Sequence, residues 1–168
     1  MNRLFNKWFG RPALWARSRG EEVAMRARTA SLPAGLGRGD CVVLFDGVCN
    51  MCHGAVRFLL AHDPRGELRF AALQSDTGQA ILTWAGLPTD HHETIVFLER
   101  GKLYTKSTAV LRLARHLAWP WRWLAGALLV PQPLRDWCYD RVALNRYLLF
   151  GRRDECLMPT PELRRRFL

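Results

Sequence analysis

A chain of 168 residues, 49 % of them hydrophobic, has the size of one ordinary domain and enough apolar residues to build a core. Its formal charge of +10 lies at the ends: residues 1–40 hold eight Arg and Lys against three acids, residues 41–140 ten against nine, and residues 141–168 seven against three. A near-neutral centre argues against a basic face running along a folded element, so no nucleic-acid partner is expected, and the basic ends are left to meet an anionic membrane or an acidic partner.

The opening twenty residues lack an uninterrupted apolar stretch followed by a small-residue cleavage site and do not read as a signal peptide. Leu4, Phe5, Trp8 and Phe9 instead line one side of a short amphipathic pattern, ended by Gly10-Arg11-Pro12, that suits contact with an anionic membrane. Residues 16–40 show no sustained periodicity and "PAGLGRGD" reads as a linker, so residues 1–40 are expected to form a basic, flexible tail. The five cysteines (41, 49, 52, 138 and 156) are odd in number and unlike a secreted disulfide framework. A reducing, cytoplasmic setting is expected, peripheral to a membrane if the tail docks.

The folded region begins at Cys41. "CVVLF" is a continuous apolar run, as in a strand buried on both faces, and "DGVCN" breaks it before a helix that packs Val56, Leu59 and Leu60 inward. "ELRFAAL" alternates like a second strand, and "SDTGQAILTWAG" is a helix with Ser75 at its N-cap and Gly86 just past its end. "TIVFLERGKLYTKS" places two apolar runs around Glu99-Arg100-Gly101-Lys102, a hairpin signal, and Ser107 is positioned to cap a helix running to Leu117. This βαβαββα order is that of a thioredoxin-like α/β core, residues 41–118. A helix begun by Pro120, a second from Pro133 to Phe150 stopped by Gly151, and a turn from Thr160 form an all-helical C-terminal extension, residues 119–168, packed on the core. Its apolar stretch at 117–131 is too short to span a bilayer and reads as a buried or interfacial helix, with Trp119, Trp121 and Trp123 as core packing.

Within "VVLFDGVCNMCHGAV" two cysteines stand three apart where a strand feeds a helix. A thiolate is the attacking species in disulfide exchange, and unpaired first-turn N–H groups with the positive end of the helix dipole favour one at Cys49. Cys52, a turn further in, is expected to be the more buried, resolving thiol, and the spacing permits a disulfide. Asp46 is a candidate proton acceptor for Cys52, or else the shaper of an Asp-Gly turn. His53 either faces Cys49 as an imidazolium or is an exposed first-turn residue.

The same segment fits other chemistry less well. Haem attachment would use "CNMCH" with Met158 as distal ligand, but lacks an export signal. Zinc would need two more ligands, and Cys138 and Cys156 form no second knuckle. A phosphatase of the haloacid-dehalogenase type would carry an aspartate at the position of Val48. No cofactor and no metal are expected, and the competing function is a non-enzymatic module that uses its cysteines for metal or structure and its basic ends for docking.

Several segments together resemble the DCC family of thiol-disulphide oxidoreductases: "LFDGVCNMC", "RFAALQS", "GKLYTKSTAVLRL" and "NRYLLFGRRDECL", spread over residues 41 to 158. The resemblance implies a thioredoxin-like fold and dithiol exchange with Asp46, Cys49 and Cys52 as the motif residues. The partners expected are a disulphide-containing protein or small thiol substrate and an unidentified recycling reductase. Cys156, beside arginines, is an auxiliary candidate as a third redox thiol, while Cys41 and Cys138 are core or helix-face residues. Arg146 and Tyr147 are candidates to hold the last helix against the active-site side. One departure from thioredoxin stands out: Glu93-Thr94 falls where a cis-proline normally faces the active disulfide, so the substrate is expected to be held differently, with small thiols favoured over extended polypeptides.

Overall fold

The computed structural model describes residues 32–89, 94–151 and 164–168, so the tail pattern at Leu4–Phe9, Glu93, Cys156, Met158 and Thr160 lie outside the described residues. Its centre is β1 (Cys41–Phe45), every residue of which is buried. Alternate side chains of a strand point to opposite faces, and β1 uses both. Cys41, Val43 and Phe45 pack with Val56 and Leu59 of α1 (Asn50–His62) and with Ala109 and Leu113 of α3 (Lys106–Leu113). Val42 and Leu44 pack on the other side with Ile81 and Leu82 of α2 (Asp76–Ala85). The uninterrupted apolar run in the sequence is the signature of that three-layer arrangement.

The sheet order is β2-β1-β3-β4, with β2 (Leu68–Ala72) parallel to β1, β3 (Val96–Glu99) antiparallel to it, and β4 (Lys102–Thr105) antiparallel to β3. Element order and pairing are those of a thioredoxin-like core. Turn chemistry fixes the joints: Arg100 and Gly101 both have positive φ in the two-residue hairpin between Glu99 and Lys102, the conformation that matches strand twist. Ser75 accepts from the Gly78 N–H at the start of α2, and Gly86 closes the helix in the left-handed region, as the sequence implies.

Ser107 does not cap α3. Thr105 holds the N-cap position because the helix starts at Lys106, which leaves Ser107 inside the first turn, where its buried hydroxyl donates to Asp136 of α4 (Gln132–Phe150). Arg135 Nη1 to Thr108 Oγ1 at 3.0 Å and Lys106 to Asp140 at 2.9 Å tie the same two helices. The α-helix also ends early, at Leu113, and passes into a 3₁₀ turn at Ala114–His116. Gly151, with φ +74, lies directly past the end of α4, where the sequence stops that helix.

The segment Trp121–Leu129 is a 3₁₀ helix rather than an α-helix, and none of its residues is buried. The expectation that its tryptophans are core packing holds only in part. Trp121 packs edge-on against Phe58 of α1, with ring centroids 4.9 Å apart, whereas Trp119 and Trp123 are exposed.

The chain end contributes a strand edge that periodicity could not reveal. Phe167 bridges Phe70 in parallel register and the Leu168 N–H donates to the Phe70 carbonyl at 2.9 Å, outside β2. Arg166 anchors this return: Nε and Nη2 donate to the Leu68 carbonyl, and Nη2 also reaches the wholly buried Asp63 carboxylate, which accepts from the Leu68 N–H. Removing the arginine strands a buried charge. Arg166→Ala is therefore expected to lower unfolding free energy by about 3 kcal/mol in urea titrations, with a native-like circular dichroism spectrum retained.

Candidate active site

β1 runs directly into the candidate site. Register across the parallel pair sets Phe45 opposite Ala72, so two residues on, Gly47 stands level with Gln74. The Gln74 side chain uses both ends there: its Oε1 accepts from the Gly47 N–H at 3.1 Å and its Nε2 donates to Asp46 Oδ1 at 3.0 Å. Asp46 Oδ1 also accepts from the Val48 N–H at 3.2 Å, an Asx turn. Asp46 thus shapes the turn, and its buried carboxylate is held in one orientation.

That turn delivers Cys49 to the N-cap of α1 in an extended conformation, with its N–H on the Asp46 carbonyl at 3.3 Å and its own carbonyl accepting from the His53 N–H at 3.0 Å. Cys52 follows one turn later and its thiol is hydrogen-bonded to Cys49. The order of burial is opposite to expectation: Cys49 is 0 % exposed and Cys52 is partly open. A residue at a helix start is exposed only if nothing lies across that end, and sequence spacing carries no information about such cover.

Cys52 keeps its proton. Burial is the largest cause, the hydrogen bond to Cys49 and the negative charges of Cys49 and Asp46 add to it, and a backbone hydrogen bond at Asp46 opposes it; the thiol is pushed up to about 12 from an ordinary 9.0. Cys41, away from the site, is raised in the same direction by burial and by Glu99 and Glu67.

His53 is not an exposed first-turn residue. The ring is buried, and its Nε2 lies 2.7 Å from the Gly47 carbonyl, which makes Nε2 the protonated nitrogen and gives the imidazole a structural task on the same turn. It packs edge-on to Phe45 at 6.4 Å, and no ring hydrogen bond to Cys49 occurs among the described residues. Cys138 is exposed on α4 and Cys41 is in the core, as expected, while the side chains of Arg146 and Tyr147 lie outside the described residues.

Beside Cys52 is an apolar cavity of about 120 Å³, walled by Phe45, Met51, Val110, Val142 and Ala143, with Asp46 at its margin. Tyr139 of α4 also borders it and accepts from the Ile95 N–H at 3.0 Å and from Thr94 Oγ1 at 3.3 Å. Neither Gln74 nor Tyr139 stood out in the sequence. The register of β2 against β1 would have found Gln74, but nothing local marks Tyr139, whose role depends on how α4 returns across the core. Among the described residues no group of three or more His, Cys, Asp or Glu is placed to hold a metal ion. None of the helices there is long and apolar enough to cross a membrane.

Fold and site together define a thioredoxin-like protein with a thiol pair at a strand-to-helix junction. Residues 43–152 match the model of the DCC1-like thiol-disulfide oxidoreductase family, and the chain belongs to that family. It is 50 % identical over 127 residues to the uncharacterized protein YuxK of Bacillus subtilis (strain 168), covering 76 % of this chain and 93 % of that one. It is 42 % identical over 116 residues to a chloroplastic DCC family protein of Arabidopsis thaliana, covering 68 % and 67 %. No solved structure matches the chain.

The raised Cys52 thiol makes stability depend on alkaline pH in one direction. A folded pKa above the unfolded value stabilises the protonated, folded form below about pH 9 and loses that contribution as pH climbs toward 12. Unfolding free energy measured from pH 8 to 11 is expected to fall more steeply for the wild type than for Cys52→Ala.

Proposed function

We propose that the protein catalyses thiol–disulfide exchange through Cys49 and Cys52. The observation that carries the reading is the hydrogen-bonded thiol pair at the start of α1, with the oriented Asp46 carboxylate beside the member that holds its proton. At neutral pH a thiol raised to about 12 is almost wholly protonated and cannot make the first attack. Cys49, at the N-cap of α1 with no side-chain cap hydrogen bond, is the attacking sulfur, and because it is buried its attack requires the cover over it to move aside.

The steps balance without a further group. The Cys49 thiolate attacks one sulfur of a substrate disulfide, the other substrate sulfur leaves as a thiolate and takes a proton from water, and a mixed disulfide forms. Cys52 then loses its proton to Asp46, attacks the Cys49 sulfur, and expels the second substrate thiolate. The substrate gains two electrons and the protein is left with a Cys49–Cys52 disulfide. An external dithiol, supplied by a recycling reductase in a reducing, cytoplasmic compartment, restores it.

Small disulfides are favoured over extended polypeptides. Tyr139 occupies the Ile95 N–H next to the site, a backbone donor that an extended chain would use for strand-like pairing. The 120 Å³ cavity beside Cys52 is apolar and suits a short alkyl or aryl group on sulfur.

Cys52→Ser is expected to accumulate a mixed disulfide on Cys49 with a small disulfide probe, read by intact mass, and Cys49→Ser to accumulate none. Asp46→Asn keeps an Oδ1 for the turn but loses the base, so resolution should slow by about a hundredfold near neutral pH and recover as pH rises. Trapping on Cys52 alone, or an Asp46→Asn pH profile identical to wild type, contradicts the assignment.

A further inference from the structure

The most apolar part of the helical extension lies on the outside. In a 3₁₀ helix residues three apart share a face, so Trp121–Leu129 divides into rows. Trp121 points inward, to Phe58 and His62 of α1. Trp123, Gly126 and Leu129 form the opposite row, and Trp119 borders one shallow groove with Arg122, Trp123 and Gly126. Trp119 and Trp123 are each 74 % exposed and Leu129 is 92 % exposed. A ridge of two tryptophans and a leucine turned to solvent is apolar surface that thiol chemistry does not use.

Charge decides what it meets. From Arg100 to Arg135 the sequence holds seven Arg and Lys and no Asp or Glu. Arg112 is paired with Glu99 and Lys106 with Asp140, while Arg115 and Arg122 are exposed and Arg122 lines the groove of the ridge. A second copy of the chain would bring the same basic face, and residues 1–31, with seven Arg and Lys against two acids, are basic as well. Both are opposed electrostatically. An anionic lipid surface complements the arginines, and tryptophan suits the headgroup layer because its ring is apolar and its N–H is polar.

We infer that the Trp119–Trp123–Leu129 ridge, with Arg122 in its groove and the exposed Arg115 in the preceding turn, is a docking surface for an anionic bilayer. The ridge inserts shallowly and the arginines meet lipid phosphates, with no helix among the described residues crossing the membrane. The thiol site is carried to the bilayer surface, and the inference does not depend on which substrate that site reduces.

The test is sedimentation of the full-length protein with large vesicles of 30 % phosphatidylglycerol in phosphatidylcholine at 0.1 M salt, against pure phosphatidylcholine. The anionic vesicles should bind at least tenfold more tightly. Replacing Trp119, Trp123 and Leu129 together by serine should weaken that binding at least tenfold, and Arg115→Gln or Arg122→Gln each roughly fivefold. All five side chains are exposed, so thermal unfolding should be unchanged. As a check without substitutions, hydroxyl-radical footprinting of the wild type should show Trp119 and Trp123 protected by anionic vesicles. Several results would overturn the inference: no preference for anionic vesicles, unchanged binding by the triple variant, or no protection of the two tryptophans. So would a concentration-dependent dimer abolished by the triple variant, or loss of binding only on substituting Leu4, Phe5, Trp8 and Phe9.

Discussion

Parallel pairing of β1 with β2 is the constraint on which the site depends. It buries a five-residue strand on both faces, and it continues in register past the last ladder bond. There Gln74 closes over Gly47 and Asp46, and from the other side the His53 ring closes on the same Gly47. Two side chains from separate elements therefore lock one tight turn. Because the turn is locked, Cys49 arrives at the N-cap of α1 and Asp46 arrives beside Cys52.

The electrostatics of the thiol pair follow from that placement. Burial and nearby negative charge act together on Cys52, which holds its proton, and outweigh the backbone hydrogen bond at Asp46. A carboxylate that raises the pKa of a thiol is also a base poised to take the proton when the thiol is needed as a nucleophile. Under the proposed exchange, one arrangement would serve two stages: a resolving thiol kept silent, then released.

Much of this was legible in the sequence because it is local. The βαβαββα order, the caps at Ser75 and Gly86, the hairpin at Glu99–Lys102 and the Asp46-to-Cys52 motif are each encoded within a few residues. What was not legible depends on contacts between distant segments. Ser107 reads as a cap until Asp136 of α4 takes its hydroxyl, and His53 reads as a surface residue until the Gly47 carbonyl folds onto it. Burial of Cys49, the Tyr139 hydroxyl on Ile95, and the Arg166 return along β2 belong to the same class. The tryptophans erred in the other direction: apolar residues are expected inside, and the 3₁₀ helix turns Trp121 toward α1 while Trp119 and Trp123 stay outside.

The helical extension joins these features. Its polar bonds from Asp136, Tyr139 and Asp140 fix α4 over α3 and the Thr94–Ile95 segment, which walls the cavity beside Cys52. Under the proposed function Cys49 and Cys52 act as one redox pair. The most direct measurement equilibrates the protein across a graded series of dithiothreitol redox buffers, traps free thiols, and locates them by intact mass and peptide mapping. As a redox pair, the two thiols should be lost and regained together in a single two-electron transition, while Cys41 and Cys138 stay reduced. Independent oxidation of the two, or thiols that never pair at any potential, would contradict it.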